Sequence, residues 1–425
     1  MLTAPALPSS WEELPPDLLG LVLALLPCLA DRVHLRAVCR TWRAAAAAQR
    51  HESLPPPLPW LALRDGGLIS LDGAPVRCAP IIRAGVFSYR AVCNLAFLVH
   101  VDGRCSLMNP LSGLTLPLPG LASAVLKQLD ESKFYGRRDF HKTFVKVILS
   151  SPLDSAPDPL VAVIVMDGTS VAISVCKQQE GAISFNIRPK RNRRIRPLST
   201  GVSPPGPDTP QGPRRFDDIA FLHGRLYALT RHEGLRVIDL DSYHLQEPKL
   251  SSGFQQCIVD DPKQQEMYTC YTDDLGRVVL RYLVESNGRL LMVRRWMSFP
   301  RNCPVGDQDR TYQFEVFEAY LSTIPGWWMK VDTLGDQAVF LGSECSKSVL
   351  ASQCSGGIQE DCIYFMHRVF DNPSKGLISS HADPLADSGV YSMRNGEIKP
   401  LLPTAVMAEL QSKIQYLTWF FPADA

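Results

Sequence analysis

The chain has 425 residues, of which 45% are hydrophobic and 20% charged. Apolar residues are ample for a core, which excludes a disordered chain. Lys plus Arg is 44 against 43 Asp plus Glu, a formal net charge of +1, and a dedicated nucleic-acid binder would show a basic excess. The 34 Pro and 28 Gly punctuate many short elements and disfavour a mainly helical chain.

In chain order, the first segment is helical. Apolar residues at Leu18, Leu19, Val22, Leu25 and Leu26 fall on one helical stripe. Pro15 and Pro16 can open this helix, Asp17 suits its positive end, and Pro27 ends it. The run Leu18 to Leu26 is far shorter than the ~20 residues that cross a bilayer. Acidic Glu12 and Asp17 stand where a signal peptide needs basic residues. A second helical stretch starts at Asp31, with Val33, Leu35, Val38, Cys39 and Trp42 apolar, and the Ala44 to Ala48 run extends helix. A module of about forty residues buries little surface alone and calls for a partner.

Leu54-Pro55-Pro56-Pro57 then reads as a stiff linker. Beyond it, short apolar runs alternate with turn residues. Val161 to Met166 precedes Asp167-Gly168, Val278 to Val284 precedes Ser286-Asn287-Gly288, and Val390 to Met393 precedes Asn395-Gly396. Asn-Gly and Asp-Gly between apolar runs are hairpin turns, since both residues tolerate positive φ. Leu226 to Leu229 and Val339 to Gly342 are further short apolar runs. An all-β domain this long fits a β-propeller better than a sandwich, and at ~40–50 residues per blade it holds about seven blades. The segment 188–215 carries eight basic residues against one acid, Asp208, amid repeated Pro and Gly. It reads as a solvated loop. Its cluster Lys190, Arg191, Arg193 and Arg194 also suits nuclear import. Ile414 to Phe421, with Tyr416, Trp419, Phe420 and Phe421, is expected to pack on the propeller as a closing strand ended by Pro422.

The twelve cysteines are dispersed with no C-x-x-C pair; even Cys345, Cys354 and Cys362 lie nine and eight residues apart. They read as reduced, mostly buried thiols of an intracellular protein. No dinucleotide, Walker A, G-x-S-x-G or H-E-x-x-H motif occurs. The adjacent acids Asp260-Asp261 and Asp273-Asp274 read as turn residues, because neighbours in a strand or turn point apart. The residues themselves therefore offer no catalytic, metal or cofactor site.

Trp11, Leu14-Pro15, Asp17-Leu18-Leu19, Val22, Leu26-Pro27, Asp31-Arg32, Arg36, Val38-Cys39-Arg40 and Trp42-Arg43 resemble an F-box. The rest of the chain is similar to the C-terminal domain of a large plant F-box family, a kelch-like β-propeller long classed as a domain of unknown function. That likeness rests on Leu107-Met108-Asn109-Pro110, Phe216-Asp217-Asp218-Ile219, Gly335-Asp336-Gln337-Ala338-Val339-Phe340 and Thr418-Trp419-Phe420-Phe421-Pro422, among other segments. The sequence departs from the family at Val92-Cys93-Asn94-Leu95-Ala96 and at the basic loop.

The resemblance implies a small all-α F-box at 8–50, a Pro-rich linker at 51–59 and a β-propeller at 60–425. It implies a target-recruiting subunit of an SCF-type ubiquitin ligase, in the nucleus or cytoplasm, without cofactor or bond chemistry of its own. Leu14, Pro15, Leu18, Leu19, Val22, Leu26, Leu35, Val38 and Trp42 would pack the module or bind a Skp-type adaptor, and through it a cullin. The propeller would hold a protein target. The alternatives are a scaffold that binds the adaptor without delivering a target, and a propeller hydrolase with acids gathered on the axis.

Overall fold

A computed structural model describes residues 11, 14–48, 54–63, 65–122, 144–153, 158–167, 170–177, 182–187, 216–238, 240, 254–261, 275–300, 310–354, 357–366, 387–412 and 417–423. The basic cluster Lys190, Arg191, Arg193 and Arg194, Tyr416, and the pair Asp273-Asp274 lie outside them.

Three short helices come first: α1 (Pro16–Leu25), α2 (Leu29–Ala37) and α3 (Arg40–Ala48). An all-β propeller follows, its described strands forming six sheets. The second sheet is β4 (Val86–Val92), β5 (Leu95–His100), β6 (Cys105–Met108) and β7 (Thr115–Pro117). The third is β8 (Phe144–Leu149), β9 (Val161–Asp167), β10 (Ser170–Cys176) and β11 (Ile183–Ile187). The fourth is β12 (Phe216–Leu222), β13 (Arg225–Thr230), β14 (Leu235–Ile238) and β15 (Phe254–Ile258). The fifth is β16 (Leu275–Ser286), β17 (Arg289–Pro300), β18 (Arg310–Tyr320) and β19 (Trp327–Val331).

The sixth sheet has five strands in the order β21 (Lys347–Leu350), β20 (Gln337–Leu341), β22 (Cys362–Phe365), β23 (Gly389–Ser392) and β24 (Ile398–Lys399). It is followed by α4 (Thr404–Ser412). The expectation of about seven blades is thus corrected to six. The fifth blade spends 11 or 12 residues on each of three strands, and the sixth has an extra strand. Each therefore consumes more chain than an average blade.

The first sheet closes the ring. It joins β1 (Trp60–Leu63), β2 (Leu68–Ile69) and β3 (Pro75–Val76) to β25 (Leu417–Phe420) from the other end of the chain. Trp60 pairs with Phe420 and Leu63 with Leu417, antiparallel. The Trp60 and Phe420 rings stack 6.0 Å apart. Trp419 is fully buried; its indole N–H donates to the Leu341 carbonyl at 2.9 Å, and Phe340 meets it edge-on. The expected closing strand is therefore present, and it ends just before Phe421 and Pro422.

Three blades share one turn. Two residues join β4 to β5, β12 to β13, and β16 to β17, and the first of each pair has positive φ: Cys93 at 53°, His223 at 47° and Asn287 at 50°. In two of them Gly224 and Gly288 follow, also at positive φ. The expected Asn287-Gly288 hairpin is one of these.

At the ring's centre, the Lys146 ammonium of β8 meets the Asp218 carboxylate of β12 at 2.6 Å, with both side chains buried. Asp218 also accepts from the backbone N–H of Ile219 and of Leu283 on β16, each at 2.8 Å. One carboxylate thus ties three neighbouring blades and is fully engaged. The axial acid of a hydrolase would instead be open to substrate. Asp260 is likewise engaged: it accepts from Thr230 at 2.6 Å and pairs with Arg236 at 3.2 Å, both buried. It is a buried anchor of the β13–β14 hairpin rather than a plain turn residue.

Candidate adaptor-docking face

The three helices build a minimal core. Leu19, Leu23, Leu35 and Ala46 are buried together, with Leu14, Leu26, Trp42, Ala45 and Leu54 packed around them. Pro15 caps α1 in an extended conformation, Pro16 occupies its first turn, and Asp17 follows there. The missing N–H of proline costs nothing at that end, and an acid there meets the helix dipole. Arg32 closes the other end: it is fully buried, and its Nε donates to the Leu26 carbonyl at 2.9 Å. That arginine satisfies a carbonyl which a helix end leaves orphaned. Trp42 donates its indole N–H to the Trp11 carbonyl at 2.8 Å and fastens the entry segment to α3.

The module is seated on the propeller. Leu29, at the start of α2, is buried in one cluster with Trp60, Ile81, Tyr89, Met108 and Phe420. Leu58 of the Pro-rich segment donates its N–H to the Pro27 carbonyl at 2.9 Å, and Leu54 packs on the helical core.

Helix α1 is apolar on two sides. Leu19 and Leu23 point inward. Leu18, Leu21, Val22 and Leu25 stay exposed, at 48%, 62%, 38% and 77%. Their spacing of i, i+3, i+4 and i+7 is a complete helical stripe. A helix apolar all round is ordinarily buried all round. Here half of that surface has no cover among the described residues. Trp11, Val33 and Val38 are exposed as well.

The residues expected to pack the module or bind an adaptor divide between these two surfaces. Leu14, Leu19, Leu26, Leu35 and Trp42 belong to the core, while Pro15, Leu18, Val22 and Val38 are exposed. The single stripe read from sequence is two stripes, and it missed Leu21 outside and Leu23 inside. The signal was present: two interleaved sets, 18/21/22/25 and 19/23/26, each have helical spacing.

Two family models agree with this architecture. The F-box-like family model matches residues 11–50, and the KIB1-4 beta-propeller model matches residues 80–392. The chain is 23% identical to the F-box protein SKIP23 of Arabidopsis thaliana, over 92% of this chain and 90% of that protein. Among solved structures, YCF48 from Cyanidioschyzon merolae is matched over 59% of this chain and 74% of that one, at 10% identity and a TM-score of 0.26. With its propeller model spanning most of the described ring and an F-box-like module before it, the chain belongs to the KIB1-4 beta-propeller family.

Proposed function

We propose that this protein is the target-recruiting subunit of an SCF-type ubiquitin ligase, with its F-box at 8–50, its linker at 51–59 and its propeller at 60–425. The exposed stripe Leu18, Leu21, Val22 and Leu25 carries the reading, because an apolar helix face left open beside a completed core marks a protein-binding surface. A Skp-type adaptor would cover that stripe and connect the chain to a cullin. The propeller would hold a protein target near the ubiquitin-conjugating enzyme and raise its effective concentration there. The chain would contribute proximity rather than bond chemistry, in the nucleus or cytoplasm.

Seating of the F-box on the first blade suits this role. Leu29 shares a core with the closure strand, so the helical module is packed against the ring rather than tethered to it by the linker alone. The test is co-purification of adaptor and cullin with the full chain, paired with target abundance after its removal. A ligase subunit brings down both proteins, and its target accumulates when the chain is absent. Adaptor capture without any stabilised protein would instead indicate a scaffold.

A further inference from the structure

We propose that Cys93 and Cys345 form an oxidant-responsive dithiol, in which a hydroperoxide converts the pair to a disulfide across the seam of the propeller ring. The sulfurs are 4.0 Å apart although the residues are 252 positions apart in sequence. Cys93 lies in the turn after β4, and Cys345 in the turn between β20 and β21. These turns flank the closure strand. The Phe421 N–H donates to the Cys93 carbonyl at 2.8 Å, and Trp419 reaches the Leu341 carbonyl just before the second turn. The Cys93 N–H also points at the Cys345 sulfur, at 3.4 Å. Arg90 and Glu344 pair across the same gap, and Glu344 accepts from the Ala91 N–H, so the two turns are already held together.

The roles of the two thiols differ. Cys93 is exposed, and Cys345 is buried. The Cys345 thiol donates towards the Cys93 sulfur, and this bond, with the positive potential of the Lys347 and Lys146 ammonium groups, pulls the Cys93 thiol down from its ordinary value; the same bond and burial push the Cys345 thiol up. A cysteine on an exposed turn, held towards the thiolate beside a second cysteine, has the arrangement of a peroxidatic and resolving pair. The backbone adds an independent sign. Cys93 sits at φ 53°, where the corresponding turns have His223 and Asn287. Asn and His are enriched at positive φ, so the turn geometry alone gives no reason for cysteine there. Cys105 is the internal contrast, since burial pushes its thiol up to about 12.

The chemistry balances in two steps. The Cys93 thiolate attacks one oxygen of the hydroperoxide, the O–O bond breaks, and with one proton the products are a sulfenic acid and water, or an alcohol from an alkyl hydroperoxide. The Cys345 thiol then attacks the sulfenic sulfur; the S–S bond forms, the S–O bond breaks, and the thiol proton leaves with the hydroxyl as water. The sulfurs must close by about 2 Å to reach disulfide distance. The product would staple the second blade to the sixth over β25.

The test treats the reduced full-length chain with a small excess of hydrogen peroxide, blocks remaining thiols and maps peptides without reduction. The expected product is a linked pair of peptides containing Cys93 and Cys345, released by dithiothreitol. Cys93 should react at least about tenfold faster than Cys105. In Cys345→Ser, Cys93 should stop at a sulfenic acid that dimedone traps. If Cys345→Ser does not fold, Cys93→Ser decides instead: Cys345 should then stay reduced under the same peroxide, and its oxidation without Cys93 would overturn the proposal. Oxidation of Cys93 in the native chain without linkage to Cys345, or at the rate of Cys105, would overturn the proposal.

Discussion

Two apolar segments at opposite ends of the chain meet opposite fates. Leu417 to Phe421 enters the ring, where Trp419 and Phe420 are almost fully buried against Phe340 and Trp60. Leu18 to Leu25 buries only Leu19 and Leu23 and leaves Leu18, Leu21, Val22 and Leu25 in water. The ring completes its own surface by pairing first strand with last. The helical module has too little mass to cover both sides of α1. Apolar content alone therefore does not separate a core element from an interface; what separates them is whether the chain supplies the facing surface.

The sharpest way to break this contrast is to remove the closing strand. A chain cut after Lys413 loses Trp419, Phe420 and Phe421, whose burial contributes about 1.5–3 kcal/mol each as an upper bound. Against a typical domain stability of about 5–15 kcal/mol, the expected outcome is an insoluble protein or a collapsed melting temperature. A cut after Phe421 should melt like the full chain. Thermal melts of the two truncations, beside the full chain, check this.

A smaller loss is expected at the ring's centre. Lys146→Ala strands the buried Asp218 carboxylate, which costs about 3–5 kcal/mol when one partner of a buried pair is removed. Replacing both, Lys146→Met with Asp218→Leu, removes the stranded charge but also leaves the Leu283 N–H without its acceptor. Recovery in the double variant should therefore be partial. Chemical denaturation of the single and double variants reads both effects.

Smaller still is the expected effect on stability at the exposed stripe. Leu18→Asp and Val22→Asp should leave the melting temperature within a degree or two, because surface substitutions stay within about 0.5 kcal/mol. Leu23→Asp, the next residue after Val22 but fully buried, should unfold the module. Circular dichroism of the three variants tells the inner stripe from the outer one.

Much of this architecture was legible in the sequence. The helical start, the hairpin at Asn287-Gly288 and the aromatic closing strand each rest on local patterns of a few residues. The blade count was not legible, because strand length varies from two residues in β2 to twelve in β16 and no fixed period survives. The two faces of α1 were merged for a related reason: with Leu or Val at six of the positions 18 to 25, periodicity barely discriminates in from out. The meeting of Cys93 with Cys345 could not be read at all, since it exists only once the ring closes. Asp218 was visible only as part of a family segment, and its hold on three blades depends on strands far apart in the chain.

The central claim is that the outer stripe of α1 is where the adaptor docks. Its most direct test is a calorimetric titration of a Skp-type adaptor into the full-length chain and into Val22→Asp. An unpaired charge in an apolar interface costs several kcal/mol, so binding by the variant should weaken by about a hundredfold or more while its melting temperature is unchanged. Equal affinity for the two chains would contradict the claim.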